Sequence, residues 1–162
     1  MPSNPPAFEI LIKAFNTHGV SFVVVGEMAM VLHGSNYSTV DSDFAVATDP
    51  ESNQRIIDAL APLNPRPSHW PAGNQFVWDL RSIYGDVVSL ATDAGDVDLL
   101  RTVPGVASFE GLLKRSVERS VFGEVVRVAA IQDLISMKTA ANRPKDRNHL
   151  IELKALADIS QE

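Results

Sequence analysis

Apolar residues at Phe8, Leu11, Ile12 and Phe15 recur at intervals of three and four, which predicts a helix with one buried face. Pro5-Pro6 would supply its first turn and Gly19 its end. The pattern then changes to a continuous β-branched run, Phe22-Val23-Val24-Val25, expected as a strand buried on both faces and ended by Gly26. Glu27 to His33 has helix-forming composition and stops at Gly34, so strand, glycine turn and helix start are consecutive. Such a junction points free backbone N–H groups outward and can hold an anion, although most junctions of this kind bind nothing.

After the polar loop Ser35-Asn36-Tyr37-Ser38, a second strand is expected from Asp41 to Ala47. Asp49 is a natural N-cap for a helix with Pro50 at its first position and Ile56, Ile57 and Leu60 inside. That helix breaks at Pro62, and Pro62 to Gly73, with four prolines, is expected as an irregular, mobile connection. Gln75 to Leu80, Val87 to Leu90 and Val97 to Leu100 are three further strand candidates separated by Gly85 and Gly95. A helix from Ser108 precedes a hairpin in which Val121-Phe122 and Val125-Val126 flank Gly123-Glu124. Two helices follow, Ile131 to Ala141 and about Lys145 to Ile159, with Pro144 between them and Leu150, Leu153 and Leu156 sharing one face. This order predicts an α/β or α+β fold: a mixed sheet flanked by helices, with helices at the C-terminal end.

At 162 residues and 45% hydrophobic, the chain fits one domain, residues 1–162, able to bury a core without covalent staples. It contains no cysteine, which excludes disulfides, thiolate metal sites and cysteine nucleophiles and suits a reducing cytoplasm. No leader pattern is visible, and no apolar run approaches the roughly 18 residues of a membrane-spanning helix. A soluble cytoplasmic protein is therefore expected. The net charge of −6 argues against wrapping long nucleic acid, because that binding depends on Lys and Arg. Lys138, Arg143, Lys145 and Arg147 do cluster late; such a cluster is commonly just a solvated surface.

The chemistry concentrates at Asp41-Ser42-Asp43. If these residues begin a strand, its period of two puts both carboxylates on one side of the pleat. Like charges that close raise each other's pKa unless a cation lies between them, which makes a divalent metal the first hypothesis. Asp-x-Asp is also common where carboxylates simply accept local backbone hydrogen bonds.

Several segments in order carry a family likeness: Val25-Gly26-Glu27-Met28-Ala29, His33-Gly34, Ser38-Thr39-Val40-Asp41-Ser42-Asp43, Val97-Asp98-Leu99-Leu100, Val103-Pro104-Gly105, Ser108-Phe109-Glu110, Leu134 to Lys138, and Arg143-Pro144-Lys145-Asp146. Together they resemble the nucleotidyltransferase fold superfamily, in particular small bacterial proteins related to AbiEii-type toxins. The resemblance implies transfer of a nucleoside monophosphate from an NTP to an acceptor hydroxyl. By the same resemblance Asp41, Asp43 and Asp98 would bind Mg²⁺ or Mn²⁺, with Asp98 also accepting the acceptor's proton. Gly26, Glu27, Ser38 and Thr39 would lie along the nucleotide, and Lys138 and Lys145 would reach its phosphates. RNA ends, tRNA in toxin-like relatives, are one implied acceptor; a small-molecule or protein hydroxyl is another, and an antitoxin-like protein partner is also implied.

Two positions depart from the family pattern. Gly26-Glu27 stands where a pair of small residues is usual, and Tyr37 stands where a basic residue is usual. Both changes should weaken phosphate binding, unless Glu27 projects away from the nucleotide. A second reading therefore keeps the fold as a catalytically silent binding protein acting through a protein partner. An aspartate-nucleophile phosphohydrolase fits less well, because its acid pair follows an apolar strand and here the pair precedes one. Asp96 is a reserve acid. His33 and His18 are expected to cap helix carbonyls rather than catalyse. Trp70 and Trp78 are expected as anchors, with Trp70 also able to cover a nucleotide.

Overall fold

The computed structural model describes residues 6–160. Helix α1 (Ala7–Thr17) buries Phe8, Leu11, Ile12 and Phe15, the stripe its spacing predicts. Pro6 stands at the N-cap, just outside the helix, and Pro5 lies outside the described residues. Strand β1 (Phe22–Val25) is buried at every position, and α2 (Gly26–Leu32) follows without a loop. Next come β2 (Asp43–Val46) and α3 (Pro50–Leu60), whose N-cap Asp49 accepts the Ser52 N–H at 3.1 Å.

The remaining strands are β3 (Arg66–Pro67), β4 (Val87–Thr92), β5 (Gly95–Leu100), β6 (Val117–Val121) and β7 (Glu124–Val128). Helix α4 (Phe109–Arg115) precedes β6, while α5 (Ile131–Ala141) and α6 (Pro144–Ser160) close the order. The seven strands form one sheet in the order β3-β4-β5-β2-β1-β7-β6. β2 pairs with β5, and β1 with β7, in parallel; every other pairing is antiparallel, so the sheet is mixed, as expected. No helix among the described residues is long and apolar enough to cross a membrane.

Alternation along the strands divides the sheet into two faces. Phe22, Val24, Phe44, Val46, Val97 and Leu99 share one face through the β1–β2 and β2–β5 registers. There Phe44 meets Phe8, Phe15 and Phe22 at ring-centroid distances of 5.8, 5.1 and 5.4 Å, joining α1 to the two central strands. The opposite face holds Val25, Asp43, Asp98 and Ser89, which the same registers place in one lateral row.

Three expectations are corrected. Gln75 to Leu80 is not a strand: the Trp78 indole N–H donates to the Ile57 carbonyl at 2.9 Å, tying the segment to α3, and Asp79 caps a 3-10 turn at Leu80–Ser82. The proline-rich connection is less irregular than expected, since it contains a 3-10 turn at Ala61–Leu63 and the two edge residues of β3, where Pro67 is tolerated. The last hairpin turns at Phe122-Gly123, one residue earlier than expected, with Val121 opposite Glu124. Both turn residues have positive φ, 53° and 76°, as the twist-matched two-residue turn requires.

Truncating Phe44→Ala should cost about 3–5 kcal/mol, since it empties the meeting point of four rings. The urea midpoint should fall accordingly with an unchanged slope, and a loss below about 1 kcal/mol would show that the ring cluster is not central to stability.

Candidate active site

The acids are brought together by register. Strand β2 begins at Asp43, so Asp41 lies on the preceding loop, exposed, and the expected strand pair of Asp41 with Asp43 does not form. Asp43 is instead paired across the parallel β2–β5 ladder with Asp98, and the Asp98 N–H donates to the Ser42 carbonyl at 3.0 Å, extending the ladder by one step. Side chains on directly paired strand positions point the same way, about 5 Å apart. Asp41 is held next to them by a short loop in which its N–H donates to the Thr39 hydroxyl at 3.1 Å.

Burial, followed by the negative charges of Asp98 and Asp41, pushes the Asp43 carboxyl up to about 6, against the pull of Lys138 and Lys145. Gly26 fits tightly beside it. Its φ is +71°, and a Cβ there would collide with the Asp43 carboxylate oxygen Oδ2, so both backbone shape and space require glycine.

A cavity of about 700 Å³ opens over this row, a size typical of small-ligand sites. Gly26, Glu27, Asp41, Asp43, Asp96 and Asp98 line it together with Lys138 and Lys145. Ser38 and Thr39 are not on its wall, and Thr39 is engaged with Asp41. Acids thus occupy the sheet side of the cavity and bases the α5–α6 side.

The basic side is organised by a residue that sequence reasoning quoted but did not assign. Asp146 is fully buried in the first turn of α6. Its Oδ2 accepts from Arg143 Nε at 2.8 Å and from the Arg143 N–H at 2.9 Å, while Oδ1 lies 3.3 Å from Lys138 Nζ. The Arg143 hydrogen bonds, reinforced by Lys138, hold the Asp146 carboxyl far below the usual carboxylate range. A buried carboxylate with two cationic partners fixes where they point. An acid three residues after a helix N-cap was the available signal.

His149 was missed altogether. It is 4% exposed on α6, one turn beyond Asp146, and its Nε2 lies 3.3 Å from Glu27 Oε1. Burial, then the charge of Lys138, lowers its pKa against the pull of Glu27 and Asp146. The Tyr37 ring packs edge-on against it at 5.1 Å, and its Nδ1 is buried without a partner. Glu27 therefore does not project freely into the cavity: its carboxylate is turned onto His149.

His18 caps α1 as expected, with Nδ1 donating to the Ala14 carbonyl at 2.9 Å. His33 does not cap its own helix through its ring. Its Nε2 reaches 2.8 Å to the Ala129 carbonyl beyond β7, while its backbone N–H serves α2, and it is absent from the cavity wall.

The donor chemistry of the acid row fits a hard divalent cation, because Asp43 carries an elevated pKa that such a cation would relieve. Among the described residues no three His, Asp or Glu side chains are grouped closely enough to hold a metal ion by themselves, so the in-register Asp43–Asp98 pair is what the row offers such a cation.

The raised Asp43 pKa has a consequence for stability. Between about pH 4 and pH 6 the folded chain binds a proton there that the unfolded chain has released, so stability should fall as pH rises through that window. Asp43→Asn should remove this slope and melt at a higher temperature than the parent at pH 7 in metal-free buffer. Equal melting temperatures across the range would disprove the electrostatic strain.

No curated protein matches the chain. A family described as "Nucleotidyl transferase of unknown function (DUF2204)" matches residues 7–161, nearly the whole length and every element that builds the cavity. With its acids and bases facing one another across that cavity, the chain belongs to this nucleotidyl transferase family.

Proposed function

We propose that the protein transfers a nucleoside monophosphate from an NTP to an acceptor hydroxyl in a reaction that depends on Mg²⁺ or Mn²⁺. The observation that carries this reading is the in-register Asp43–Asp98 pair on one wall of a cavity whose other wall presents Lys138 and Lys145. Asp41, Asp43 and Asp98 would hold the metal, which when bound neutralises charge developing on the phosphate oxygens. Lys138, steadied by Asp146, and Lys145 would receive the triphosphate as point charges. Asp98 would accept the proton of the acceptor hydroxyl. The new bond joins the acceptor oxygen to the α-phosphorus, the bond from that phosphorus to the bridging oxygen breaks, and pyrophosphate leaves.

Glu27 supports this reading more than it opposes it. Its carboxylate sits beside the Asp row, where a free negative charge would repel a triphosphate, but His149 draws it aside.

Titrating the protein with each NTP in the presence of Mg²⁺ or Mn²⁺ should raise its melting temperature, because a ligand of the native state alone must stabilise it. Asp41→Asn and Asp43→Asn should abolish transfer and the metal-dependent part of that shift. An absence of any shift at saturating NTP would refute nucleotide binding and favour a silent member of the fold acting through a protein partner.

Releasing Glu27 should also be measurable. His149→Ala should weaken NTP binding by about tenfold, the size expected when a nearby like charge faces the phosphates. Adding Glu27→Gln in the same chain should restore the affinity. If the double variant binds no better than His149→Ala, the imidazole does not act through Glu27.

A further inference from the structure

A second cavity, of about 450 Å³, opens at the β3–β4 edge of the sheet and shares Val87 and Ser89 with the first. The continuity follows from the pleat. Ser89 is the β4 partner of Asp98, so the row Asp43, Asp98, Ser89 runs across the sheet to that edge, where the Ser68 N–H donates to the Ser89 carbonyl at 3.2 Å. Asp98 therefore stands between Asp43 and the second cavity. The lysines of the first cavity lie on the other flank, on α5 and α6.

The walls of the edge cavity are aromatic and fixed. The Trp70 indole N–H donates to the Asn74 carbonyl at 3.0 Å, and the Trp70 ring meets Phe76 edge-on at 4.9 Å. Tyr84 is 74% exposed and Val77 68% exposed, leaving apolar surface beside the Trp70–Phe76 pair. Asp79 and Arg81 are its charged lining residues among those described, and they neutralise each other through Arg81 Nη2 and Asp79 Oδ2 at 2.6 Å. Nearby Arg66 is engaged with Asp93 at 3.1 Å, and Asp96 adds an exposed acid to the lining of the first cavity.

That charge distribution selects the ligand. A nucleic-acid strand brings a phosphate with every nucleotide and requires free Lys or Arg along its path. The edge cavity provides rings without free cations. We propose that it is the acceptor subsite, and that the acceptor is a small uncharged or cationic molecule bearing a hydroxyl beside a flat ring. The ring rests against Trp70 and Tyr84, and the hydroxyl is presented to Asp98. This assignment rests on the nucleotidyl-transfer reading: the hydroxyl oxygen gains the nucleoside monophosphate, its proton passes to Asp98 and pyrophosphate is released.

The test supplies the whole protein with Mg²⁺ and NTPs labelled at the α-phosphate, and offers three acceptor pools separately: a low-molecular-mass filtrate of a cell extract, total RNA, and desalted protein. Label should enter the filtrate pool. Trp70→Ala and the more exposed Tyr84→Ser should each raise the amount of filtrate needed for half-maximal labelling by about tenfold, the worth of one stacked ring. Both variants should retain the parent's NTP-dependent melting shift. Label entering RNA or protein instead, or labelling indifferent to both substitutions, overturns the proposal. Nucleotide binding with no labelled product in any pool overturns the acceptor subsite while leaving the nucleotide site standing; failure to bind NTP overturns both.

Discussion

The parallel pairing of β2 with β5 is the constraint on which the rest of the site depends. Because Asp43 and Asp98 are directly opposite, two carboxylates are forced onto one side of the sheet at a spacing set by backbone hydrogen bonds rather than by side-chain choice. A shift of one residue in that register would turn one of them into the Phe44 side of the sheet, where four phenylalanine rings are packed. The aromatic core and the acid row are thus two faces of one requirement. Packing that favours Phe44 inward also fixes Asp43 outward, and the electrostatic cost of the acid pair is carried by the hydrophobic face behind it.

Counter-charge arrives from a distant part of the chain. Lys138 and Arg143 converge on the buried Asp146 carboxylate, so the positions of two cations are coupled to the docking of α6. His149 extends the coupling across to α2 through Glu27 and Tyr37. The first turns of α6 therefore do more than cover the sheet. They set the electrostatic character of one cavity wall and restrain a carboxylate on the other.

Features governed by local rules were legible in the sequence. The β-branched run Phe22 to Val25, the Asp49-Pro50 helix start and the α1 stripe are each determined within a few residues, and the resemblance carried Asp98 and Lys138 to positions that do line one cavity. What was not legible depends on partners far away. Gln75 to Leu80 has a strand-like apolar run, Phe76-Val77-Trp78, yet the Trp78 N–H goes to the Ile57 carbonyl and the segment stays outside the sheet. The pairing of Asp43 with Asp98 rather than with Asp41 required the strand order. Leu150 and Leu156, expected beside Leu153 on the buried face of α6, are only half-buried, because Asp146 and His149 occupy that face instead. A polar residue in an apolar stripe acquires meaning only when its partner, here Glu27, is known.

The placement of Asp146 and His149 in α6, far along the chain from the acids, has a consequence for synthesis. As the chain leaves the ribosome, the sheet acids at positions 41, 43 and 98 are made well before the segment that neutralises and frames them. Until α6 docks, those acids lack Lys145 opposite them and Lys138 lacks the Asp146 carboxylate that steadies it. The pocket thus becomes complete only once α6 has been made and has docked against α5.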